Sequence, residues 1–306
     1  TTDVFNAQKG ALKGLFSVSS VKQVRFSQGN LQYSTSGSHL CADGTTQVGT
    51  WRFADNQYDY VGSRSQYGQY NNDAKGNVAE NDNAYIGSNY EGWIDLLGWG
   101  TSGYHDERDV NCANYYPYSN SMIATDVETN KYGYGPSFNL ADKNLTASNA
   151  YYDWGVYNAI SNGGNEVGAW RTLTADEWNY LCNGRPDASS KWGYATVNGV
   201  KGVVVLPDKW ILPHSCTFAP GKTNMWATNS YTQSQWEDME ALGALFLPAA
   251  GLRYESMSVN VGNHASYWSS SAFSGSDAYG VDFSNVSNFS YNTYRFNGLS
   301  VRLVSE

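Results

Sequence analysis

The chain has 306 residues, a net charge of −9 and an isoelectric point of about 4.9, so it is long enough to bury a substantial core. Charged residues make up only 15% and aromatics another 15%, with 24 Tyr and 11 Trp, which excludes disorder because disordered chains are charged and poor in aromatics. It carries no basic stripe to meet phosphates, so nucleic acid is excluded as a partner, and an anionic membrane surface would repel it.

The first forty residues read as strands. Residues 15–19 and 21–26 alternate with period two, and Gly29-Asn30 punctuates before Leu31-Gln-Tyr33. Residues 34–50 read as a polar loop, and Trp51-Arg-Phe resumes an ordered element. Residues 62–92 are rich in Gly, Asn, Ser and Tyr without periodicity, and residues 91–99 suit one or two helical turns ending at Gly98 or Gly100. Residues 101–150 are again irregular. Their Tyr and Trp content favours a long segment packed by its own side chains.

The best helix spans residues 173–182. Thr174 and Glu177 have the spacing of a capping box, and Gly184 is the expected stop. Residues 194–205 form a hairpin about Asn198-Gly199, the strongest short hairpin signal. Thr232 to Gln235 opens a second capped helix, over residues 233–242. Short strands follow to the C-terminus. Two capped helices among short antiparallel strands and long irregular loops define an α+β class. No linker, charge-rich boundary or fixed-period repeat divides the chain, so one domain over residues 1–306 is expected.

The cysteines at 41, 112, 182 and 216 lack the close pairing of a zinc site. If the protein is exported, two disulfides are possible, with Cys182 and Cys216, which flank the hairpin unit, the preferred pair; if it is not, four buried thiols are expected. No apolar run reaches the roughly 18 residues that span a bilayer. The chain opens Thr1-Thr2 with no signal-like segment. The expectation is an exported, surface or extracellular protein with its signal removed and any lipid anchor outside this chain; a phage particle is the alternative.

Site chemistry is sparse. The four His, at 39, 105, 214 and 264, are scattered, and no Ser-His-Asp grouping is legible. No catalytic residue, metal ligand or cofactor is expected. A structural cation such as calcium is the alternative: residues 71–77 resemble a calcium loop, but Lys75 stands at a position where the loop needs an oxygen ligand. Asp106-Glu-Arg-Asp109 reads as a solvated acidic face.

The last 56 residues, Gly251 to Glu306, are the most informative. Twenty-four of them are Ser, Asn or Tyr, four more are Phe, and Lys is absent after Lys222. A frame of Gly251-Leu-Arg, Tyr267-Trp-Ser-Ser, Val281-Asp-Phe and Ser300-Val-Arg-Leu-Val surrounds them. Tyr offers amphipathic contact area at low entropic cost, and Ser, Asn and Gly offer adaptable hydrogen bonds, as in a paratope. The expected ligand-binding residues are Tyr254, Ser256, Ser258, Asn260, Asn263, His264, Phe273, Phe289, Tyr291, Tyr294 and Phe296, largely exposed on one face. The Trp residues at 170, 178, 192, 210 and 268 read as core.

Trp170-Arg-Thr-Leu-Thr-Ala-Asp-Glu-Trp-Asn-Tyr-Leu resembles the capped helix of formylglycine-generating-enzyme-like domains, a branch of the C-type-lectin fold. Tyr267-Trp-Ser-Ser and Ser300-Val-Arg-Leu-Val are similar to that family's two closing strands. Gly14-Leu-Phe-Ser-Val and Phe26-Ser-Gln-Gly-Asn-Leu-Gln-Tyr resemble a paralogous domain of gut-bacterial surface lipoproteins; residues 55–165 are less well covered. The segment 251–304 further resembles the variable proteins of diversity-generating retroelements. Their adenine mutagenesis cannot produce Trp, Lys, Gln, Glu or Met. Only Glu255, Met257, Trp268 and Glu306 belong to that set here. The resemblance implies a C-type-lectin-like fold and non-catalytic recognition of a macromolecular ligand, protein or glycan. Formylglycine-generating chemistry uses a close pair of cysteines near the C-terminus, and none follows Cys216. The alternatives are a non-diversified carbohydrate-binding or adhesive surface lipoprotein and, last, a residual oxidase.

Overall fold

A computed structural model describes residues 8–62, 83, 92–104, 143–221, 225–254, 257–284 and 288–306. Within them the architecture is mixed α and β, built from small sheets and few helices. The 71–77 and 106–109 stretches, His105, Cys112 and Ser256 lie outside the described residues. No described helix is long and apolar enough to cross a membrane.

The N-terminal strands β1 (Phe16–Ser17) and β2 (Gln23–Phe26) pair antiparallel. The expected polar loop at 34–50 is instead a hairpin, β3 (Leu31–Leu40) with β4 (Thr46–Phe53). Its outer half is mostly Ser, Thr and Gly, and its apolar residues Leu40 and Val48 face solvent, so alternation could not reveal it. Polar side chains of β3 are also consumed inside, His39 among them, with Nδ1 2.8 Å from the Gly49 carbonyl and Nε2 2.7 Å from Asn158 Oδ1. Burial lowers its pKa and favours the neutral ring.

The helical turns expected at 91–99 are absent among the described residues there. β5 (Trp93–Ile94) joins the edge of β3. The amides of Asp95 and Leu96 donate to the Asn83 side chain at 2.9 and 3.2 Å, and Leu97 and Trp99 donate to the carbonyls of Leu299 and Arg295. Long-range acceptors have thus taken the donors a helix would use.

One short turn, α1 (Trp154–Tyr157), starts at Asp153, whose carboxylate accepts from the Gly155 amide. Both capped helices form. α2 (Ala175–Asn179) has the Thr174–Glu177 capping box, and a wider π turn over Tyr180–Gly184 continues it. α3 (Gln233–Ala241) has the corresponding box from Thr232 and Gln235.

β6 (Trp192–Val197) and β7 (Val200–Val205) form the expected hairpin. Asn198 (φ 48°) and Gly199 (φ 82°) are both left-handed, as a type I′ turn demands. β8 (Asn229–Tyr231) adds parallel to β6, and β9 (Leu245–Pro248) adds antiparallel to β7. Alternation here feeds two cores. Tyr194, Val203, Val205 and Leu247 face the α2 side, while Val197, Val204 and Phe246 face Trp236 and Met239 of α3. This sheet corrects the disulfide expectation: Cys182 lies in the first core and Cys216 in the second, both as free thiols.

The C-terminal region builds a two-stranded sheet, β10 (Leu252–Tyr254) with β11 (Met257–Val259), and a three-stranded sheet of β12 (Ala265–Ala272), β13 (Asp277–Phe283) and β14 (Asn288–Tyr294). The chain then returns through the interior. Gly298 bridges Arg253, Leu299 bridges Leu97, Ser300 bridges Tyr267, and β15 (Val304–Ser305) pairs with β2. Ser300–Val304 is therefore central, as its sequence suggested, although only its end is a regular strand.

Arg302 is fully buried there. Its guanidinium donates to the Phe246 carbonyl at 2.6 Å, to Gln57 Oε1 at 2.9 Å and to Asn30 Oδ1 at 3.3 Å. Gln57 Nε2 in turn donates to Glu240 Oε1 at 2.8 Å. Truncating Arg302 leaves a cavity and strips several buried acceptors of their donor. Arg302→Ala should cost about 3–5 kcal/mol, against about 1 kcal/mol for Thr174→Ala, which loses one cap. Urea denaturation of the two variants checks this, and equal losses would refute the central role of Arg302.

Asp95 and Asp153 are buried among amide donors, Asp95 with Val61 N and Asn83 Nδ2 each at 2.8 Å. Burial pushes both carboxyls up to about 6, even though those hydrogen bonds pull the other way. Between about pH 4 and 6 the folded chain then binds more protons at these sites than the unfolded chain, so unfolding free energy falls as pH rises through that window. Buried neutral His39 acts in the opposite sense over the same range but is common to native protein and variant, so the carboxyl contribution is read as a difference: from about pH 7.5 to 5.5 the native protein should gain stability relative to Asp95→Asn. A native-minus-variant difference in unfolding free energy that stays flat or shrinks from about pH 7.5 to 5.5 would contradict this.

Candidate ligand-recognition face

Three indole hydrogen bonds hold the frame under the C-terminal segment. Trp268 Nε1 donates to the Leu97 carbonyl at 2.7 Å, Trp99 Nε1 to the Ser269 carbonyl at 2.7 Å, and Trp178 Nε1 to the Trp268 carbonyl at 3.3 Å. They tie β12 to the 97–99 stretch and to α2. All three rings are fully buried. Tyr267 and Trp268 point to opposite sides of β12, into different cores. Gly280 lies opposite Trp268, and a Cβ there would come within 2.5 Å of the Tyr267 carbonyl, so the strands pack too closely for a side chain.

Cross-strand pairing sorts β13 and β14. Ala278 faces Thr293 and Gly280 faces Tyr291 on one side; Asp277 faces Tyr294 and Tyr279 faces Asn292 on the other. The second side displays its large side chains. Tyr294 is exposed and stacks on Phe296 at 5.1 Å with ring planes 10° apart, and Phe296 contacts Tyr254 at 6.4 Å. Phe273, also exposed, meets Tyr279 edge-on at 5.1 Å. Two aromatic groups thus flank Asp277, which pairs with Tyr294 and stands two residues from Tyr279.

Arg295 underpins this arrangement. Its guanidinium lies 4.4 Å above the Trp99 ring and donates to the Ser274 carbonyl at 2.8 Å, and its amide donates to the Ser276 carbonyl at 2.9 Å. Burial lowers its pKa to about 10, which leaves it charged at neutral pH. The residue fixes the 273–277 turn against the end of β14.

The expected face is corrected at several positions. Ser258 is fully buried, because its strand position turns it inward from the β10–β11 pair. Phe296 is buried beneath Tyr294, 8% exposed. Phe289 is half-buried against Trp192 and Phe283, and Tyr291 is half-buried against the core around Trp268. Tyr254 and Asn260 are half-buried, whereas Asn263, Phe273 and Tyr294 are exposed. Tyr254, Tyr294 and Phe296 come together through ring contacts. Asn260, Asn263 and His264 form a separate turn, in which the amides of Asn263 and His264 donate to the Asn260 carbonyl. Tyr279 and Asn292 were missed. Their signal is the run Asp277-Ala-Tyr-Gly, where small residues alternate with large ones.

His264, Ser266 and Asp282 converge without forming a catalytic triad. Asp282 Oδ1 accepts from Ser266 Oγ at 2.6 Å and lies 3.0 Å from His264 Nδ1. Serine and histidine therefore both serve the carboxylate, and Ser266 is buried. Burial alone would raise the Asp282 carboxyl, but these hydrogen bonds outweigh it and hold the group below its ordinary value. The described cysteines are buried, and desolvation pushes Cys41 up to about 11 and Cys182 to about 12. Neither is activated as a thiolate. Among the described residues no cluster of three or more His, Cys, Asp or Glu is placed to hold a metal ion.

Set against protein-family models, curated proteins and solved structures, the chain matches none.

Exposure separates the roles of neighbouring rings. Tyr294→Ala should cost about 1 kcal/mol, the loss of its stacking on Phe296, whereas Phe296→Ala should cost about 3 kcal/mol through cavity formation. Equal costs in chemical denaturation would mean that Tyr294 belongs to the core.

Proposed function

We propose that this protein is a non-catalytic recognition module of C-type-lectin-like fold, in the formylglycine-generating-enzyme-like branch, whose C-terminal segment forms a binding face for a macromolecular ligand. One observation carries the reading. The frame residues Arg253, Trp268, Ser300 and Arg302 are all fully buried, while Phe273, Asn292 and Tyr294 between them project outward. A face built this way can change its displayed side chains without loss of the fold, and loops and strand ends on a rigid scaffold are where binding residues concentrate.

This division suits the diversification that the sequence resemblance implies, and the module acts at a bacterial surface or outside the cell. Aromatic side chains at the centre of the face supply most of the affinity, on the order of 2 kcal/mol each. An oxidase reading has less support, because the described thiols are buried and desolvation raises those of Cys41 and Cys182.

Deep sequencing of this gene from a growing population tests the reading. Substitutions should concentrate at outward positions such as Phe273, Asn292 and Tyr294 and spare Arg253, Trp268 and Ser300–Leu303. An invariant segment with no neighbouring template repeat or reverse transcriptase gene would sink diversification. Phe273→Ala with Tyr294→Ala should abolish ligand capture while the protein stays folded; capture that survives both would sink the binding face itself.

A further inference from the structure

The charges of the C-terminal segment are sorted by sign. From residue 251 onward the chain has three Arg and no Lys. Arg253 and Arg302 are fully buried, and Arg295 is 4% exposed. Each is committed to the frame: Arg253 stands where β10 pairs with Gly298, Arg295 covers Trp99, and Arg302 bonds to Gln57. No permanent cation of the segment reaches the surface. Asp277, by contrast, sits half-exposed between the ring groups Phe273–Tyr279 and Tyr294–Phe296. The whole chain carries −9. Outside the segment, Lys143 comes near through Asn144, whose side chain accepts from the Ala272 amide, and it is half-buried.

From this we infer that the face takes a cationic protein partner, one that presents Lys or Arg to the exposed rings around Asp277. The inference rests on the binding role proposed above and names the chemistry of its ligand. Aromatic faces attract ammonium and guanidinium groups through the ring quadrupole, Arg most often. A carboxylate beside the rings adds an acceptor for the same group. An anionic ligand would meet Asp277 on a chain of net charge −9, and Arg295, although its charge acts on Asp277 from below, is buried and does not reach the surface to receive it. A neutral glycan would also stack on the rings and donate hydroxyl hydrogen bonds to Asp277, but it carries no charge for the carboxylate to neutralise, and its binding would not weaken as salt rises.

The probes are a random-sequence peptide library and a panel of neutral glycans, applied to the full chain. The variants are Phe273→Ser, Tyr294→Ser and Asp277→Asn, with the exposed Asp187→Asn as a remote charge control. Retained peptides should be enriched in Lys and Arg. Their affinity should fall at least about tenfold with Tyr294→Ser, fall with Asp277→Asn but not Asp187→Asn, and weaken as salt rises from about 0.05 to 0.5 M. Neutral peptides or glycans held through Phe273 and Tyr294 and indifferent to salt, whatever their response to Asp277→Asn, would overturn the cationic partner and leave the binding face standing. Retention of no peptide would also overturn the cationic partner. Cationic peptides indifferent to Phe273 and Tyr294 would reflect only net charge and would overturn both readings. The Tyr294 variant and the salt series decide the matter even where Asp277→Asn fails to fold.

Discussion

The buried return of residues 298–305 is the constraint on which the rest of the described structure depends. Its backbone joins pieces far apart in sequence: β10 through Gly298, the 97–99 stretch through Leu299, β12 through Ser300, and β2 through Val304. Arg302 within it carries charge into the interior, where an unsatisfied guanidinium would be costly. Asn30, Gln57 and the Phe246 carbonyl meet that demand, and Gln57 relays to Glu240 on α3. The N-terminal sheet, the α3 core and the C-terminal face are thereby tied to one side chain.

That anchoring explains how a segment so rich in Ser, Asn and Tyr can be ordered. Such residues bury little apolar area and would not hold a sheet by themselves. The indole lattice of Trp99, Trp178 and Trp268 holds it instead, with each N–H donated to a carbonyl of a neighbouring stretch. Tyr291 and Phe289 lean into the cores on either side of the sheet. What remains outside is a small set of rings about Asp277, supported from below by Arg295. The frame and the display are alternate residues of the same strands, so one can vary while the other is held.

The polar clusters inside follow the same logic of satisfying buried groups. His39, Asp95, Asp153 and Asp282 look chemical in isolation, yet each is occupied by local backbone or side-chain donors and acceptors. A nucleophile aligned on a base is what they lack, since Ser266 is bonded to the carboxylate and not to the imidazole. Their perturbed titration is a cost or gain of folding, expressed in pH-dependent stability.

Several features were legible in the sequence because their physics is local. Capping boxes need only a hydroxyl and an acid or amide three residues apart, and both formed. Asn198-Gly199 supplies two left-handed residues, and the hairpin followed. The α+β class and the recognition-like composition of the last 56 residues were likewise readable. Tertiary structure decided the rest. The 34–50 hairpin has polar strands that only a partner ladder makes visible, and the 93–99 stretch gave up a helix because Asn83, Leu299 and Arg295 accept its amides. Cys182 and Cys216 look pairable along the chain, but a sheet buried on both faces stands between them. Ser258 and Phe296 share the composition of the exposed face, and only strand register and the stacking of Tyr294 turned them inward. Residue types and local spacing determined which residues could line the proposed face. Which of them meet solvent depended on long-range pairing, which the sequence alone does not encode locally.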